Sequence, residues 1–431
     1  MALTAVITRL KQVHSLWFQA LNAYFAPHEF RIAIQNCIST CRTVTFILQS
    51  NKSAIPDFDT WYKIHTQKFD ADSIMQWAKH ARNKIEKQGD LETLSQLQAE
   101  LIAAYAGHPI TQWIPTDLFS SVEQIRHSIP AKWLNDPHMV EHGVLLIRRR
   151  WIDVELPGHE ILDALAHVYG QLALMIISLH EHCGVPIPKH NPELGVHLLA
   201  GLRSNGRLPS MEHHLEDRVT HISIKNGSVL QFKEKKETIT RPKLEKASKR
   251  YGDVQWERLA TAESLLDVAH IHFNAARQVI LRDHEHRTVF VLLKGNVPFE
   301  IIGAEPQDRM DKYMLMRKVA QHVRDAEADG VLHIGESWVA KPEDVPKGGY
   351  AADAANRKEA LLLLGVNAQG QHVQMQSIIE RKKVKRHKIK QLLPTEVYTD
   401  GKPISMAPVL EVWGKLDILG LNSSEGWPEG Y

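Results

Sequence analysis

The chain has 431 residues and a mass of 49.0 kDa, more than one hydrophobic core usually serves, so two or three domains are expected. With 43% hydrophobic and 24% charged residues it can bury real cores, which excludes a disordered chain. A net charge of +2 excludes binding to nucleic acid or a membrane surface through overall charge alone, and leaves any such attraction to local patches.

The N-terminal run MALTAVITRLKQVHSLWFQ mixes apolar and charged residues without a long apolar core, so no signal peptide is expected. Residues 1 to about 127 read as helical throughout. Phe30, Ile34, Cys37, Cys41, Val44 and Leu48 recur at steps of three and four, which makes one buried stripe. Ile55-Pro56-Asp57 breaks the chain, and Asp57 or Asp59 is placed to cap the next helix. A further helix is expected over Asp72 to Lys87, stopped near Gly89, and another over Glu92 to Tyr105. Together these give a bundle of antiparallel helices. Cys37, Cys41 and Cys183 form no disulfide framework and fit a reducing cytoplasm.

A different texture begins near Gly143. Val144 to Leu156 reads as strand, stopped by Pro157-Gly158. Alternation puts Arg148 and Arg150 on one face and Arg149 on the other, so at least one needs a partner, with Asp153 or Glu155 and nucleic acid as equal alternatives. Leu165, Val168, Leu172, Met175 and Leu179 then mark a helical stripe for internal packing or for a second subunit. That segment, the most apolar in the chain, carries Asp163, His167 and Gln171, so a buried helix is expected in preference to a membrane span. Asn226-Gly227 lies between two alternating runs and signals a hairpin.

Lys233 to Arg250 reads as an exposed charged connection leading into a helix over Trp256 to Arg282. The last third follows as strands Thr288–Leu293 and Phe299–Gly303, a helix Gln307–Ala328, then strands Val331–Glu336, Ala360–Val366 and Val373–Ile379. This order argues an α+β sheet with the helix on one face. The fold class is therefore mixed, an N-terminal all-α helical bundle followed by an α+β region with a helix-covered sheet. Its segments are residues 1–140 (bundle), 141–255 (a middle α+β segment with linker and hairpin) and 256–431 (a C-terminal α+β domain).

Arg42-Thr43-Val44-Thr45-Phe46, Phe58-Asp59-x-Trp61-Tyr62 and Ala81-Arg82-Asn83-Lys84-Ile85-Glu86-Lys87-Gln88-Gly89 resemble the HEPN superfamily over about the first 100 residues. That superfamily of small helical bundles includes metal-independent ribonucleases of toxin and phage-defence systems. The resemblance implies a homodimer formed through the helical domain, with Arg82 clamping a phosphate of RNA and Asn83 positioning it. A guanidinium suits phosphate because it is a permanently charged planar fork. Where the family keeps a histidine this chain has Lys87, and a lysine, with an ordinary pKa of about 10.4, stabilises charge better than it moves protons. His80 is the substitute on the same helix. Arg-to-His spacing alone decides nothing, because Arg207 with His213 or His214, Arg277/His284, Arg317/His322 and Arg381/His387 show it too.

The basic run Arg381 to Lys390 either offers Lys382, Lys383, Lys385, Arg386 and Lys388 as phosphate contacts or is a solvated linker after the last strand. His180-Glu181-His182-Cys183, His270-Ile271-His272 and His284-Glu285-His286 lack the spacing of a zinc module, so no metal is expected. Glu336 ends a strand that Asp325, Glu327 and Asp329 precede; structural capping is their expected role, with a carboxylate cluster at the sheet's rim as the alternative. No glycine-rich phosphate loop or nucleophile elbow occurs, and no cofactor is expected. The expectation is a cytoplasmic protein, away from membranes, that binds or cleaves RNA in a defence or toxin setting. The alternative is a non-catalytic dimerisation and partner-binding protein with a degenerate HEPN-like module.

Overall fold

The computed structural model describes residues 2–105, 119–187, 190–191, 195–196, 198–204, 206–214, 218–230, 234–252, 256–346, 350–382 and 387–420. Two compact units form. One comprises the described residues of Met1–Leu101, Ile110–Val140 and Leu145–Val229, the other those of Ile102–Pro109, Glu141–Val144 and Leu230–Tyr431. The architecture is mixed α/β, with N-terminal helices followed by antiparallel sheets and interspersed helices.

The first unit opens with α1 (Ala2–Asn22), α2 (Pro27–Ser50), α3 (Phe58–Ala71) and α4 (Ser73–Lys87). Each helix follows from apolar residues at steps of three and four: Val6, Leu10, Val13 and Trp17 on α1, and Phe30, Ile34, Cys37, Cys41, Val44 and Leu48 on α2, are all buried. Asp57 occupies the N-cap of α3 but its side chain makes no capping bond. Asp72 does cap α4, with Oδ1 accepting the N–H groups of Ile74 (2.9 Å) and Met75 (3.1 Å).

The helix expected over Glu92 to Tyr105 is instead a strand, β1 (Thr93–Ile102). Leu94, Leu97 and Leu101 imitate a helical stripe, but burial follows a period of two through Thr93, Ser95, Leu97, Ala99 and Leu101. Sheet pairing decided the matter, because β1 lies beside β2 (Val144–Asp153). Three short helices intervene, α5 (Val122–His127), α6 (Ala131–Leu134) and α7 (Pro137–His142). On β2 the arginines alternate as expected, with Arg149 buried. Among the described residues their partners are other than Asp153 and Glu155: Arg148 pairs with Glu100 of β1, Arg149 donates to the Ser120 carbonyl, and Arg150 reaches Gln96 and the Gly158 carbonyl.

Helix α8 (Ile161–His182) runs through the core of this unit. It is long and apolar enough to cross a membrane by length and composition, yet most of it is buried. Its stripe packs on α1, α2 and α4 of the same chain, so internal packing accounts for it. The Trp17 indole donates to the Leu162 carbonyl (2.8 Å). At Gly170 a Cβ would lie 2.0 Å from the Gly206 carbonyl oxygen, so that backbone approach requires glycine. Two-residue strands β3 (His190–Asn191) and β4 (Gly195–Val196) follow. Strand β5 (Val219–Ser223) completes the β1-β2-β5 sheet, and the Asn226-Gly227 turn closes with the Gly227 N–H on the Ser223 carbonyl (2.8 Å).

The second unit begins with β6 (Glu234–Thr238), α9 (Arg241–Tyr251) and α10 (Leu265–Asp283), where a single open charged connection and one long helix were expected. Then come β7 (Thr288–Lys294), β8 (Val297–Ala304), α11 (Arg309–Asp325), β9 (Gly330–Val339), β10 (Lys358–Asn367), β11 (His372–Arg381), β12 (Ile389–Leu392), β13 (Glu396–Tyr398) and α12 (Ala407–Val412). The sheet order is β12-β11-β10-β9-β7-β8-β6, with β13 also on β11, and its pairings are antiparallel.

Helix α11 covers one face, with α12, over Phe290, Leu292, Leu364 and Val366. The opposite face, for which the strand order named no cover, is covered by α10 over Val291, Leu293, Leu361 and Leu363. That is why strands such as β10 read as continuous apolar runs: both faces are buried.

Burial pushes the His272 imidazole of α10 down to about 4. A histidine held neutral in the fold contributes stability above its unfolded pKa of about 6.5, and that contribution is lost as pH falls toward the folded value. Acidification from pH 7 to 4.5 is therefore expected to cost up to about 3 kcal/mol through this group, and His272→Leu to remove that part of the acid limb. Urea denaturation of both proteins at the two pH values tests this; an identical acid loss in the variant refutes it.

Candidate functional site

Four helices of the first unit converge on a cavity of about 310 Å³. Helix α2 contributes Ile38, Cys41, Arg42, Thr45 and Gln49, spaced so that one face of the helix meets the cavity. From α3 come Tyr62, Thr66, Phe69 and Asp70, and from α4 Met75, Gln76, Ala78, Lys79, Arg82 and Asn83. Val168 and Leu172 of α8 complete the apolar part with Ile38, Cys41 and Met75.

The angle at which α4 meets α8 is held by Asp72, whose Oδ2 lies 2.6 Å from His167 Nε2 while Oδ1 caps α4. Burial opposes the charge on Asp72, but the His167 bond and two backbone N–H groups hold its carboxyl below the usual range. Gln49 donates to the Tyr62 hydroxyl (3.1 Å), and Gln76 to Asp70 (2.8 Å).

Two guanidinium groups flank one aromatic ring here. Arg42 sits 4.3 Å and Arg82 5.5 Å from the centroid of Phe46, within cation–π range. Arg42 donates to Thr45 Oγ1 (2.9 Å). Arg82 donates to Asn83 Oδ1 (3.0 Å) and pairs with Glu86 (2.6 Å), while its Nε is buried with no hydrogen-bond partner among the described residues. Arg42, Lys79 and Arg82 face the cavity with Asp70 as the one counter-charge in its wall among the described residues, and Asp70 lies 3.6 Å from Lys79. The site can therefore accept a small molecule with an apolar body and acceptor groups.

Of the residues singled out in the sequence, Arg82 and Asn83 line this cavity, whereas His80 and Lys87 are exposed and take no part in its wall. The four do not converge. Lys382 is exposed, Lys388 is half-buried, and Lys383, Lys385 and Arg386 lie outside the described residues. Arg42, Lys79 and Gln76 were missed as site residues. Their signal was present as polar residues bordering the apolar stripes of two neighbouring helices, but only the docking of those helices makes them one wall.

A second polar group lies deeper in the same unit. Glu160, the N-cap of α8, accepts from the N–H groups of Leu162 (2.8 Å) and Asp163 (3.2 Å), and from the Tyr24 hydroxyl (3.3 Å); His213 Nδ1 lies 3.1 Å from it. Arg218 pairs with Asp163 at 2.7 Å. Burial, then the Glu160 charge, pushes the Tyr24 hydroxyl far above the usual tyrosine range and raises the Asp163 carboxyl.

Glu160, Asp163 and His213 are of metal-ligand type, with ligand atoms within 4.8 Å of one another. Both oxygens of Glu160 are already engaged, however, and Arg218 supplies a cation beside Asp163. The arrangement fits a hydrogen-bonded knot that seats α8 better than an ion site.

At the sheet rim of the second unit Glu336 does meet a second carboxylate, Glu359, with Arg381 between them at 2.8 Å from Glu336 and 2.7 Å from Glu359. The expected neighbour Asp329 instead takes the Gly295 N–H (2.7 Å).

The class defined by these features is a two-unit α/β protein with a cationic, aromatic-edged pocket in its helical unit. The chain belongs to the bacteriophage lambda protein ea47 family, whose profile matches residues 2–418. It is 28% identical over 354 residues to protein ea47 of Escherichia phage lambda, covering 77% of this chain and 78% of that protein. No solved structure matches it.

Membership spanning nearly the whole chain replaces the HEPN resemblance, which rested on a short motif. The RNA-cleaving or RNA-binding function, the defence or toxin setting and the alternative of a degenerate HEPN-like module all fall with it. The physical reason the motif misled is local: Arg82 and Glu86 are neighbours one turn apart on α4 and pair with each other, as helices commonly allow.

Proposed function

We propose that this protein is a small-molecule-binding member of its family, acting in the cytoplasm of a phage-carrying bacterial cell. The setting is suggested by the phage origin of the relative named protein ea47. The observation that carries the binding role is the cavity of about 310 Å³ walled by α2, α3, α4 and α8. Its size is at the lower end of ligand pockets, and its mixture of apolar floor and convergent polar groups is typical of them.

Saturation-transfer NMR of the purified protein with a fragment library tests the reading. Ala78→Trp and Thr66→Trp, which fill the cavity from two different helices, are each expected to abolish transfer to the hits, with helical circular dichroism retained. Hits that bind both variants as well as the wild type would place the binding elsewhere and overturn the proposal.

A further inference from the structure

Resting on the pocket reading above, we infer that the ligand is an organic anion whose acid group is taken by Arg82, with its apolar body against the floor of the cavity. Three observations converge on this. Cations outnumber carboxylates in the wall, with Arg42, Lys79 and Arg82 against Asp70. Arg42 has no carboxylate within ion-pair distance among the described residues; its recorded contacts are Thr45 and the face of Phe46. The Nε of Arg82 is buried and lacks a hydrogen-bond partner among the described residues, and a buried donor left unmade is costly.

The present partners of Arg82 show how an acid group would enter. Its terminal nitrogens are held by Asn83 and by Glu86, whose side chain is 42% exposed against 20% for Arg82. An incoming carboxylate, sulfonate or phosphate that takes Nε and the adjacent terminal nitrogen forms the bidentate fork that guanidinium favours. Glu86 is released to water at small cost, because a partly exposed ion pair holds it weakly. Glu86 is thus an internal competitor for the ligand's acid group, and Phe46, which both Arg82 and Arg42 approach, is placed to receive a planar edge. The floor of Ile38, Cys41, Met75, Val168 and Leu172 takes the apolar remainder.

The test uses two dyes that share a ring system, 8-anilinonaphthalene-1-sulfonate and its uncharged analogue N-phenyl-1-naphthylamine, titrated into the full-length protein by fluorescence. The sulfonate is expected to bind about tenfold or more tightly than the neutral dye, as a charge-assisted bond implies. Arg82→Gln should remove that preference, and Glu86→Gln should strengthen sulfonate binding while leaving the neutral dye unchanged. His80→Ala and Lys87→Ala, which lie outside the cavity wall, should behave as wild type. Equal affinities for the two dyes, or no sulfonate binding, overturns the acid-group assignment. Exclusion of the neutral dye by Ala78→Trp in that case would leave the pocket reading intact, so the two can fail separately.

Discussion

Glu160→Ala is expected to destabilise the helical unit by about 3–5 kcal/mol, because several buried donors share this one carboxylate as their acceptor. The Glu160 side chain is 1% exposed and that of His213 is fully buried. Deletion strands the Leu162 and Asp163 N–H groups at the start of α8, together with His213 Nδ1, whereas the Tyr24 hydroxyl keeps the Arg149 carbonyl (3.0 Å) as its acceptor. Each buried donor that loses its partner costs about 1–3 kcal/mol, so the effect exceeds that of an ordinary lost cap. Glu160→Gln keeps an acceptor oxygen and the side-chain shape, and should cost less than the alanine. Urea denaturation followed by circular dichroism measures both. A loss below about 1 kcal/mol for the alanine would show that the knot does not seat α8.

Trp151→Ala should cost about 4 kcal/mol, as large-to-small aromatic substitutions in cores do. Trp151 is 1% exposed, and its ring stacks on Phe30 at 4.7 Å between centroids. Its indole donates to the Tyr24 carbonyl (2.9 Å), so deletion leaves both a void and an unpaired acceptor. Trp338 is the control, being 46% exposed. Its replacement by alanine should stay within about 1 kcal/mol, the loss being chiefly its stacking with Arg357. Denaturation midpoints compared under one set of conditions decide it; similar losses at the two tryptophans would refute the packing account.

Much of the architecture was legible because it is written in local periodicity. The steps of three and four along α1, α2, α4 and α8 produce helices wherever they dock, and the alternation and turn residues from Thr288 to Ile379 mark the strands of the large sheet. The segment from Thr93 to Ile102 was not legible. Leu94, Leu97 and Leu101 fit a helical step, Leu97 and Leu101 also fit the strand period, and pairing with the distant β2 settled the choice.

The candidate site was half legible. Arg82 and Asn83 stood out for a motif that the family membership sets aside, and they line the cavity for a different reason, the docking of α4 against α2, α3 and α8. His80 and Lys87, neighbours in sequence, point elsewhere because a helix turns about 100° per residue. Glu160 and His213, 53 positions apart, carry no joint sequence signal at all.

Thus the amino-acid sequence by itself determined most of the helical and extended segments, the mixed fold class and the amphipathic faces, since these depend on residues within a turn or two of one another. Tertiary structure alone decided that both sheet faces are covered, that Arg148 meets Glu100, and that Arg42, Lys79 and Arg82 border one cavity. Such outcomes depend on which surfaces meet, and burial and electrostatics act on groups brought together in space irrespective of their distance along the chain.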